Sequence, residues 1–503
     1  MKARPAIPLF VGAALLSALT MLNGIQPNDE GLMLQAASRI AHGQVPYRDF
    51  WWFYPPGQPY LLAVVWKVFG PSLLTWRIVR VLSDAAVATL AYFLARRAAP
   101  PRLALAVWLA AACAMAFPSG PHPYPIAMAC ALGALLLFEE RPLLAGVLVG
   151  VCAAWRLEFA AYLGAGIVIA CLVGRRSPLR FAGSAAGAGL VLYLPVVIAA
   201  GIGRSWDLIV KYPLTTFSDY QSLPFPSDYN GPLNTSSIGG FFTDSAENIL
   251  HYYLPLALVV GLGAAVVALA LRWGRERWWQ IAGVVFAGGM AHYLVVRADE
   301  FHTAPLAVML SVLAAWVLAE RRALPRIALV PAVVVALAFA YVLAEGIDRR
   351  VRTAQDRGVA IDLPVADGVR DRAARVPPLE NAVRYVDAHV PRGRPIYVAT
   401  LRSDLITSGN PLFYVLAQRP NPTRYDIQAP GVVTSAPVQR EIVGDLERTR
   451  TPIVVRFAAP ITAAPEPDRA GRSTGVHVLD EYIAQRYHRV AKYAFYDILA
   501  RNG

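Results

Sequence analysis

The chain has 503 residues, of which 56% are hydrophobic and 16% are charged, and its formal net charge is +13 at pH 7. The core of a water-soluble protein cannot bury that much apolar surface, so the composition excludes an ordinary soluble protein. The basic residues lie at the ends of apolar runs and form neither a basic arm nor a stripe interleaved with aromatics. The charge therefore does not indicate nucleic-acid binding, and the sequence predicts a protein that resides in the lipid bilayer.

Apolar runs long enough to cross a bilayer recur from the N-terminus to about residue 350. We predict about eleven membrane-spanning helices, at residues 6–25, 76–96, 102–118, 122–138, 142–155, 157–174, 180–201, 249–271, 278–296, 302–319 and 325–346. The first run resembles a signal peptide, but no small-residue cleavage pattern ends it, so we expect it to be retained. The four cysteines lie in apolar runs without zinc-ligand spacing, which predicts neither disulfides nor a cysteine metal site.

Arginine and lysine cluster in every second connection between the predicted spans. The clusters lie at residues 2–4, 96–102, 141, 175–180, 272–277 and 321–326. The positive-inside rule makes these connections cytoplasmic, together with the N-terminus. The other connections then lie outside, and two of them, residues 26–75 and 202–248, are too long to be simple connectors. We therefore expect a multi-pass protein of a bacterial cytoplasmic (inner) membrane whose working face is extracytoplasmic.

The composition changes near residue 348, where the apolar runs end. We predict a transmembrane catalytic domain over residues 1–347 and a soluble extracytoplasmic α/β domain over residues 348–503. In the second part, short β-rich runs alternate with polar, helix-like stretches at residues 378–389, 394–400, 435–448 and 452–457. Binding the acceptor, covering a cleft and recruiting a partner remain open as the role of this domain.

The first outer loop contains a specific order of motifs. It reads Pro27-Asn28-Asp29-Glu30-Gly31, a helical stretch, Tyr47-Arg48-Asp49-Phe50, Tyr54-Pro55-Pro56-Gly57 and a second interfacial helix ending in Phe69-Gly70. This order resembles the opening of the GT-C glycosyltransferases, in particular the family 39/83-like branch of protein mannosyltransferases and aminoarabinose transferases. The motifs cover about residues 25–85, and the topology resembles that fold over most of the chain.

The resemblance implies a sugar donor linked to polyprenyl phosphate and a catalytic base in the first outer loop. That role falls on Asp29, with Glu30 beside it, because a carboxylate can take the proton of an acceptor hydroxyl during attack on the anomeric carbon. Asp49 is a second acidic candidate, for orienting the acceptor or binding a metal. The structural alternatives are that Asn28 or Asp29 only caps the following helix, and that Asp49 is a turn residue paired with Arg48.

A leaving polyprenyl phosphate needs cations at the outer boundary of the membrane, where arginine suits it through its planar pair of donors. The candidate phosphate ligands are Arg156, Arg297, His302 and Lys211. The candidate substrate-binding residues are Tyr54, Glu158, Asp299 and His122. The alternative is that the two arginines only pair with the acidic residues beside them and close their turns.

The sequence thus predicts an inverting GT-C-like glycosyltransferase that acts on a hydroxyl of a glycan, such as cell-wall glycan, or of a lipid or protein. No cofactor is indicated by a motif, and a divalent cation, Mg or Mn, stays open. Two rivals remain: a secondary transporter or lipid flippase, and a membrane-anchored scaffold that acts through its soluble tail. A transporter should carry ionisable groups at mid-membrane, and a scaffold should not need Asp29.

Overall fold

The computed structural model describes residues 5–115, 120–221, 249–356, 358–464 and 469–503, together with residues 225, 236, 237 and 239. Up to residue 221 the helices are α1 (Ala6–Ala18), α2 (Asp29–Ala41), α3 (Gly57–Phe69), α4 (Leu73–Arg96), α5 (Pro101–Met115), α6 (Tyr124–Leu137), α7 (Pro142–Trp155), α8 (Leu157–Val173), α9 (Leu179–Ala200), α10 (Ile202–Trp206) and α11 (Ser218–Gln221). Two π-helical turns, Asp207–Lys211 and Pro213–Phe217, separate the last two. Most of the predicted outer loop beyond residue 221 lies outside the described residues.

After that loop come a π-helical turn, Ile249–Tyr253, and four further long helices. These are α12 (Leu254–Trp273), α13 (Gln280–Val296), α14 (Glu300–Ala319) and α15 (Arg326–Gln355). Within the described ranges, four helices are long and apolar enough to cross a membrane, and seven shorter helices are also apolar. Each predicted span overlaps one of these helices, while the number of crossings stays a prediction.

Small residues allow the helices of the membrane part to pack closely. A side chain at Gly146 of α7 would lie 2.0 Å from Ser184 Oγ of α9, and one at Gly150 would lie 2.6 Å from Ala188 Cβ. Such contacts are typical of helix packing in membranes, where close approach of backbones replaces the hydrophobic effect as the source of stability. Elsewhere on α9, Val191 and Ile198 are exposed, as expected of a helix that also faces lipid.

Two helices were predicted to lie along the membrane interface, near residues 31–41 and 58–69. α3 fits this expectation, since Val68 and Phe69 are exposed. The prediction is wrong for α2, because nearly all of its residues are buried. The C-terminal part of the chain covers α2 and takes the place that was assigned to lipid headgroups.

The C-terminal part contains a mixed sheet. The strands of the C-terminal part are β1 (Val359–Ala360), β2 (Arg370–Asp371), β3 (Tyr397–Thr400), β4 (Ile453–Phe457), β5 (Tyr487–Tyr493) and β6 (Tyr496–Arg501). Four of them form one sheet in the order β3-β4-β6-β5, with β3 and β4 parallel and the remaining pairs antiparallel. Its helices are α16 (Val376–His389), α17 (Leu412–Ala417), α18 (Ala436–Arg448) and α19 (Val478–Arg486). The predicted β-rich runs and helix-like stretches overlap β3, β4, α16 and α18.

This sheet and the first outer loop share one hydrophobic core, which includes Leu34, Trp52, Leu412 and Val454. The predicted boundary at residue 348 falls inside α15, a single helix of 30 residues. The division into two domains therefore stays a prediction, and the structure shows the two parts packed through α2.

Candidate active site

Asp29 is the first residue of α2, and it is exposed to solvent. The side chain of Asn28 makes no capping bond to this helix and instead donates from Nδ2 to Asp29 Oδ1 at 3.1 Å. The described geometry therefore does not support capping as the role of Asn28. Asp29 keeps a carboxylate that a ligand can reach.

Glu30 occupies a different environment although it is the next residue. Both its carboxylate oxygens accept from Arg77 of α4 at 2.8 Å, and neither side chain has any exposed surface. Arg77 also donates to the carbonyls of Met21 and Gly24, at 2.8 and 2.6 Å. The prediction of a catalytic role for Glu30 is not supported, because its oxygens are fully used in joining α2 to α4.

Three ionisable groups from a distant part of the chain lie near Asp29. They are Arg297, Asp299 and His302, between the end of α13 and the first turn of α14. The surrounding protein removes part of the hydration of Asp29 and raises the pKa of its carboxyl, against the hydrogen bond from Asn28 and the positive charge of Arg297, which lower it. A raised pKa brings a carboxyl closer to the range that suits a general base.

Asp299 organises this second segment. Its Oδ1 accepts from the His302 backbone N–H at 2.9 Å and lies 2.6 Å from His302 Nδ1, while its Oδ2 lies 3.4 Å from Arg297 Nε. Burial raises the pKa of Asp299, but the hydrogen bonds and charge of His302, together with the charge of Arg297, outweigh burial and the net pKa is lowered. Asp299 therefore caps α14 and holds an arginine and a histidine on the side of Asp29.

Arg156 approaches the same place from the junction between α7 and α8. Its Nη2 donates to the hydroxyl of Tyr293 at 2.8 Å, and its Nη1 lies 3.2 Å from Glu158 Oε1. The ring of Tyr293 also packs against His302, with centroids 4.3 Å apart. Tyr293 therefore links the arginine of one junction to the histidine of the other.

Tyr54 interacts electrostatically with both arginines. Burial raises the pKa of its hydroxyl to about 12, and the charges that act on it belong to Arg156, Asp29, Arg297 and Glu158. Its position is fixed by Tyr47, whose hydroxyl donates to the Tyr54 carbonyl at 2.6 Å. The term Asp29 cluster is used below for the group that these contacts join, namely Asp29, Tyr54, Arg156, Glu158, Tyr293, Arg297, Asp299 and His302.

His122 lies beside the cluster, with its ring 5.1 Å from that of Phe301. Burial, together with the charges of Arg80 and Arg156, lowers its pKa to about 3, so the imidazole is neutral near pH 7. Among the described residues, its Nε2 has no hydrogen-bond partner although the side chain is buried. The predicted substrate contact thus has a polar atom available.

α3 holds the two junctions in place. Gln58 donates from Nε2 to the Pro121 carbonyl at 3.1 Å and accepts from Trp155 Nε1 at 2.8 Å. One glutamine therefore connects the turn before His122 with the junction that carries Arg156. This explains why an interfacial helix follows the acidic motif.

Two predicted site residues lie elsewhere. Asp49 binds Arg48 through both oxygens and accepts from the Val45 N–H at 2.7 Å, and the hydrogen bond from Arg48 lowers its pKa. Lys211 is exposed and lies 4.0 Å from Asp207. The described contacts place neither residue in the cluster, so the turn interpretation of Asp49 is the one that the geometry supports.

Sequence reasoning missed Tyr293 and the charges of α4. An available signal was the position of Tyr293 in the last turn of a span just before Arg297. Arg77 and Arg80, near the start of the predicted span 76–96, are buried in α4 together with Asp84. Arg80 lies 3.7 Å from Asp84, which accepts from Ser17 of α1 at 2.7 Å.

A group of possible metal ligands occurs in the C-terminal part: Asp404, His477 and Asp480 have ligand atoms within 4.8 Å of one another. Asp404 already pairs with Arg402 and accepts from Ser473, and Asp480 accepts from the N–H and hydroxyl of Ser403. The guanidinium of Arg402 therefore already provides the positive charge beside Asp404. This group fits a metal poorly, and no step of the chemistry below uses it.

Comparison with known proteins shows what the chain resembles. Residues 52–296 match the sequence model of Glycosyltransferase family 87. The fold resembles ArnT from Cupriavidus metallidurans, solved bound to undecaprenyl phosphate, with TM-score 0.58, 15% identity and coverage of 99% of this chain and 98% of that one. It also resembles the Archaeoglobus fulgidus oligosaccharyltransferase solved with Zn and sulfate, with TM-score 0.52, 13% identity and coverage of 89% and 68%. No curated protein sequence matches the chain.

Over residues 52–296 the chain thus resembles a glycosyltransferase family, and its fold resembles that of GT-C membrane glycosyltransferases such as ArnT. The resemblance found in the first outer loop is confirmed at this level. The matching family model is that of family 87, whereas the motifs of the loop resemble the family 39/83-like branch.

Proposed function

We propose that this protein transfers a sugar from a polyprenyl-phosphate-linked donor to a hydroxyl acceptor on the extracytoplasmic side of the membrane, with inversion at the anomeric carbon. The observation that carries the proposal is the convergence of one exposed carboxylate, Asp29, with Arg297 and with Arg156 through Tyr54. The fold-level likeness to ArnT, which was solved with undecaprenyl phosphate, supports the choice of donor.

Asp29 acts as the base in this mechanism. The acceptor hydroxyl approaches from the solvent side of the cluster and gives its proton to the Asp29 carboxylate as its oxygen attacks the anomeric carbon. The bond from that carbon to the phosphate oxygen breaks, and polyprenyl phosphate leaves with the electron pair. Because a single displacement forms one bond as it breaks the other, the configuration inverts.

Arg156 and Arg297 hold the phosphate as it leaves. Arginine donates two parallel hydrogen bonds to phosphate, and its charge offsets the negative charge that develops on the leaving oxygen. Both arginines lie where apolar helices end, which is the depth of a lipid headgroup. Charged groups are costly at the edge of hydrocarbon, which supports a functional reason for keeping them there.

The other members of the Asp29 cluster support Asp29, Arg156 and Arg297. Tyr293 and Glu158 orient Arg156, while Asp299 orients Arg297 and His302. His122 offers a neutral imidazole nitrogen to the sugar or phosphate. The alternation of basic clusters along the chain supports placing this side of the membrane outside the cytoplasm.

The test is glycosyl transfer in proteoliposomes from a radiolabelled extract of polyprenyl-phosphate sugars. Asp29→Asn removes the base without changing its shape, and Asp207→Asn makes the same change at an exposed aspartate outside the cluster. We expect transfer by the wild type and by Asp207→Asn, and a loss of at least about hundredfold for Asp29→Asn.

Equal transfer by all three proteins would refute the role of Asp29 and favour a scaffold that acts through its C-terminal part. Absence of transfer by the wild type with every donor fraction, combined with movement of labelled lipid between leaflets, would favour the flippase alternative.

A further inference from the structure

The side chain of Asn28 makes two hydrogen bonds, one as a donor and one as an acceptor. Its Nδ2 donates to Asp29 Oδ1 at 3.1 Å, and its Oδ1 accepts from the backbone N–H of Gly409 at 3.1 Å. A backbone N–H can only donate, so the amide oxygen must face Gly409 and the amide nitrogen must face Asp29. The bond to the C-terminal part therefore fixes which end of the amide is presented to the base.

The surrounding backbone makes this contact rigid. The N–H of Leu412 donates to the carbonyl of Pro27 at 3.2 Å. At Gly31, any side chain would place its first carbon 2.2 Å from the Leu412 nitrogen, so only glycine fits. Further along α2, Arg39 and Gln35 both donate to Asp426 Oδ1, at 3.0 and 3.2 Å. The C-terminal part thus contacts α2 at its start and again towards its end.

We infer that Asn28 is a positioning residue for Asp29, and that through it the C-terminal part of the chain, at Gly409, sets the orientation of the base. The inference rests on the proposed function for its catalytic meaning. It assigns the C-terminal part a place in the site itself, beyond the three roles left open by the sequence.

Two consequences follow for Asp29. Holding Oδ1 leaves Oδ2 as the oxygen that receives the acceptor proton. A donor to the carboxylate also stabilises its ionised form, as Arg297 and His302 do from the other side, while Asp299 opposes them. Loss of the Asn28 donor therefore raises the pKa of Asp29, and the base becomes protonated at a higher pH.

Two variants separate the two bonds of Asn28. Asn28→Asp keeps an acceptor for Gly409 but places a carboxylate where Asp29 had a donor, and Asn28→Ala removes both bonds. Asn381→Ala is the matched control, because it removes the same amide from an exposed position of α16. All three are made in the full-length protein, and thermal unfolding verifies that each is folded.

The first measurement is the titration of Asp29 by infrared spectroscopy in proteoliposomes. Each protein is compared with the same protein carrying Asp29→Asn, so that the difference isolates the Asp29 band. The second is the pH dependence of transfer from the polyprenyl-phosphate sugar extract. We expect both Asn28 variants to titrate at higher pH than the wild type. On the acid limb of the pH profile, they should lose about tenfold in kcat, with KM within about twofold.

In both Asn28 variants the lost rate should return as the pH rises, whereas a merely structural defect would lower the rate at every pH. An unchanged titration of Asp29 in Asn28→Asp would overturn the inference. If the titration shifts but the wild type transfers no sugar, the positioning of Asp29 stands and the proposed function fails.

Discussion

Two groups of charged residues lie near the first turn of α2. They differ in how many of their hydrogen-bonding atoms are already paired within the protein. Glu30 and Arg77 have no exposed surface and use their oxygens and nitrogens on each other and on backbone carbonyls. Asp29 is exposed, and Arg156 and Arg297 keep 12% and 26% of their side-chain surface in contact with solvent.

This difference separates a structural role from a functional one. A charge pair that is fully buried and fully paired has nothing left to offer a ligand, and its main effect is to fix the helices that carry it. A charge that reaches solvent beside several others can exchange water for substrate. The neighbouring residues Glu30 and Asp29 illustrate the two cases within one turn of helix.

Glu30→Gln should have the largest effect on stability. It leaves Arg77 charged and buried without its carboxylate, and breaking such a pair costs about 3–5 kcal/mol. Thermal unfolding in detergent should show a strongly lowered midpoint and a reduced yield of folded protein. The double variant Glu30→Gln, Arg77→Gln should recover part of this loss, because no unpaired charge remains. A Glu30→Gln protein as stable as the wild type would contradict the structural assignment.

Replacement of the cluster's arginines should have a large effect on activity and a small one on stability. Arg156→Lys and Arg297→Lys keep the charge but lose the paired donors, so we expect kcat/KM for the lipid donor to fall by about tenfold to hundredfold each. Arg48→Lys, in the turn of residues 45–49, is the matched control and should retain the activity. Equal losses for all three variants would contradict a specific phosphate site.

The pH dependence of transfer should follow Asp29. The pKa of its carboxyl is raised above 3.8, so the base is ionised above the raised value and becomes protonated as the pH falls through it. The acid limb of the kcat/KM profile should therefore lie above pH 3.8. An acid limb at or below the ordinary aspartate value would show that another carboxylate acts as the base.

Asp49→Asn should have the smallest effect. Its side chain pairs with Arg48 at the surface, and exposed pairs of this kind contribute little to stability. Transfer and thermal stability should both stay close to those of the wild type. A loss comparable to that of Asp29→Asn would return Asp49 to the active site.

Much of the fold could be predicted because its signals are local. Span-length apolar runs lie where the apolar helices lie, and the short runs at residues 394–400 and 452–457 coincide with β3 and β4. The proximity of several candidate residues could also be predicted, since alternate ends of spans meet at one face of a membrane. Asp29, Arg156, Arg297 and His302 gather there from three separate segments.

The remainder depends on contacts between residues far apart in the chain. Residues 29 and 30 point in directions about 100° apart on a helix, so only the positions of Arg77 and Arg297 show which carboxylate is free. The cover over α2 is fixed by the pair of Arg39 with Asp426, 387 residues apart. No periodicity in α2 distinguishes a helix covered by protein from one covered by headgroups.

The cover over α2 also has a consequence for biogenesis. A chain is synthesised from its N-terminus, so Asp29 leaves the ribosome long before Gly409 and Leu412 exist to contact its segment. The first helices of the nascent protein are therefore made before the residues that contact the start of α2 exist, and these contacts form only after Leu412 has been made. If the proposed function holds, Asp29 is therefore positioned only after the C-terminal part has folded against α2.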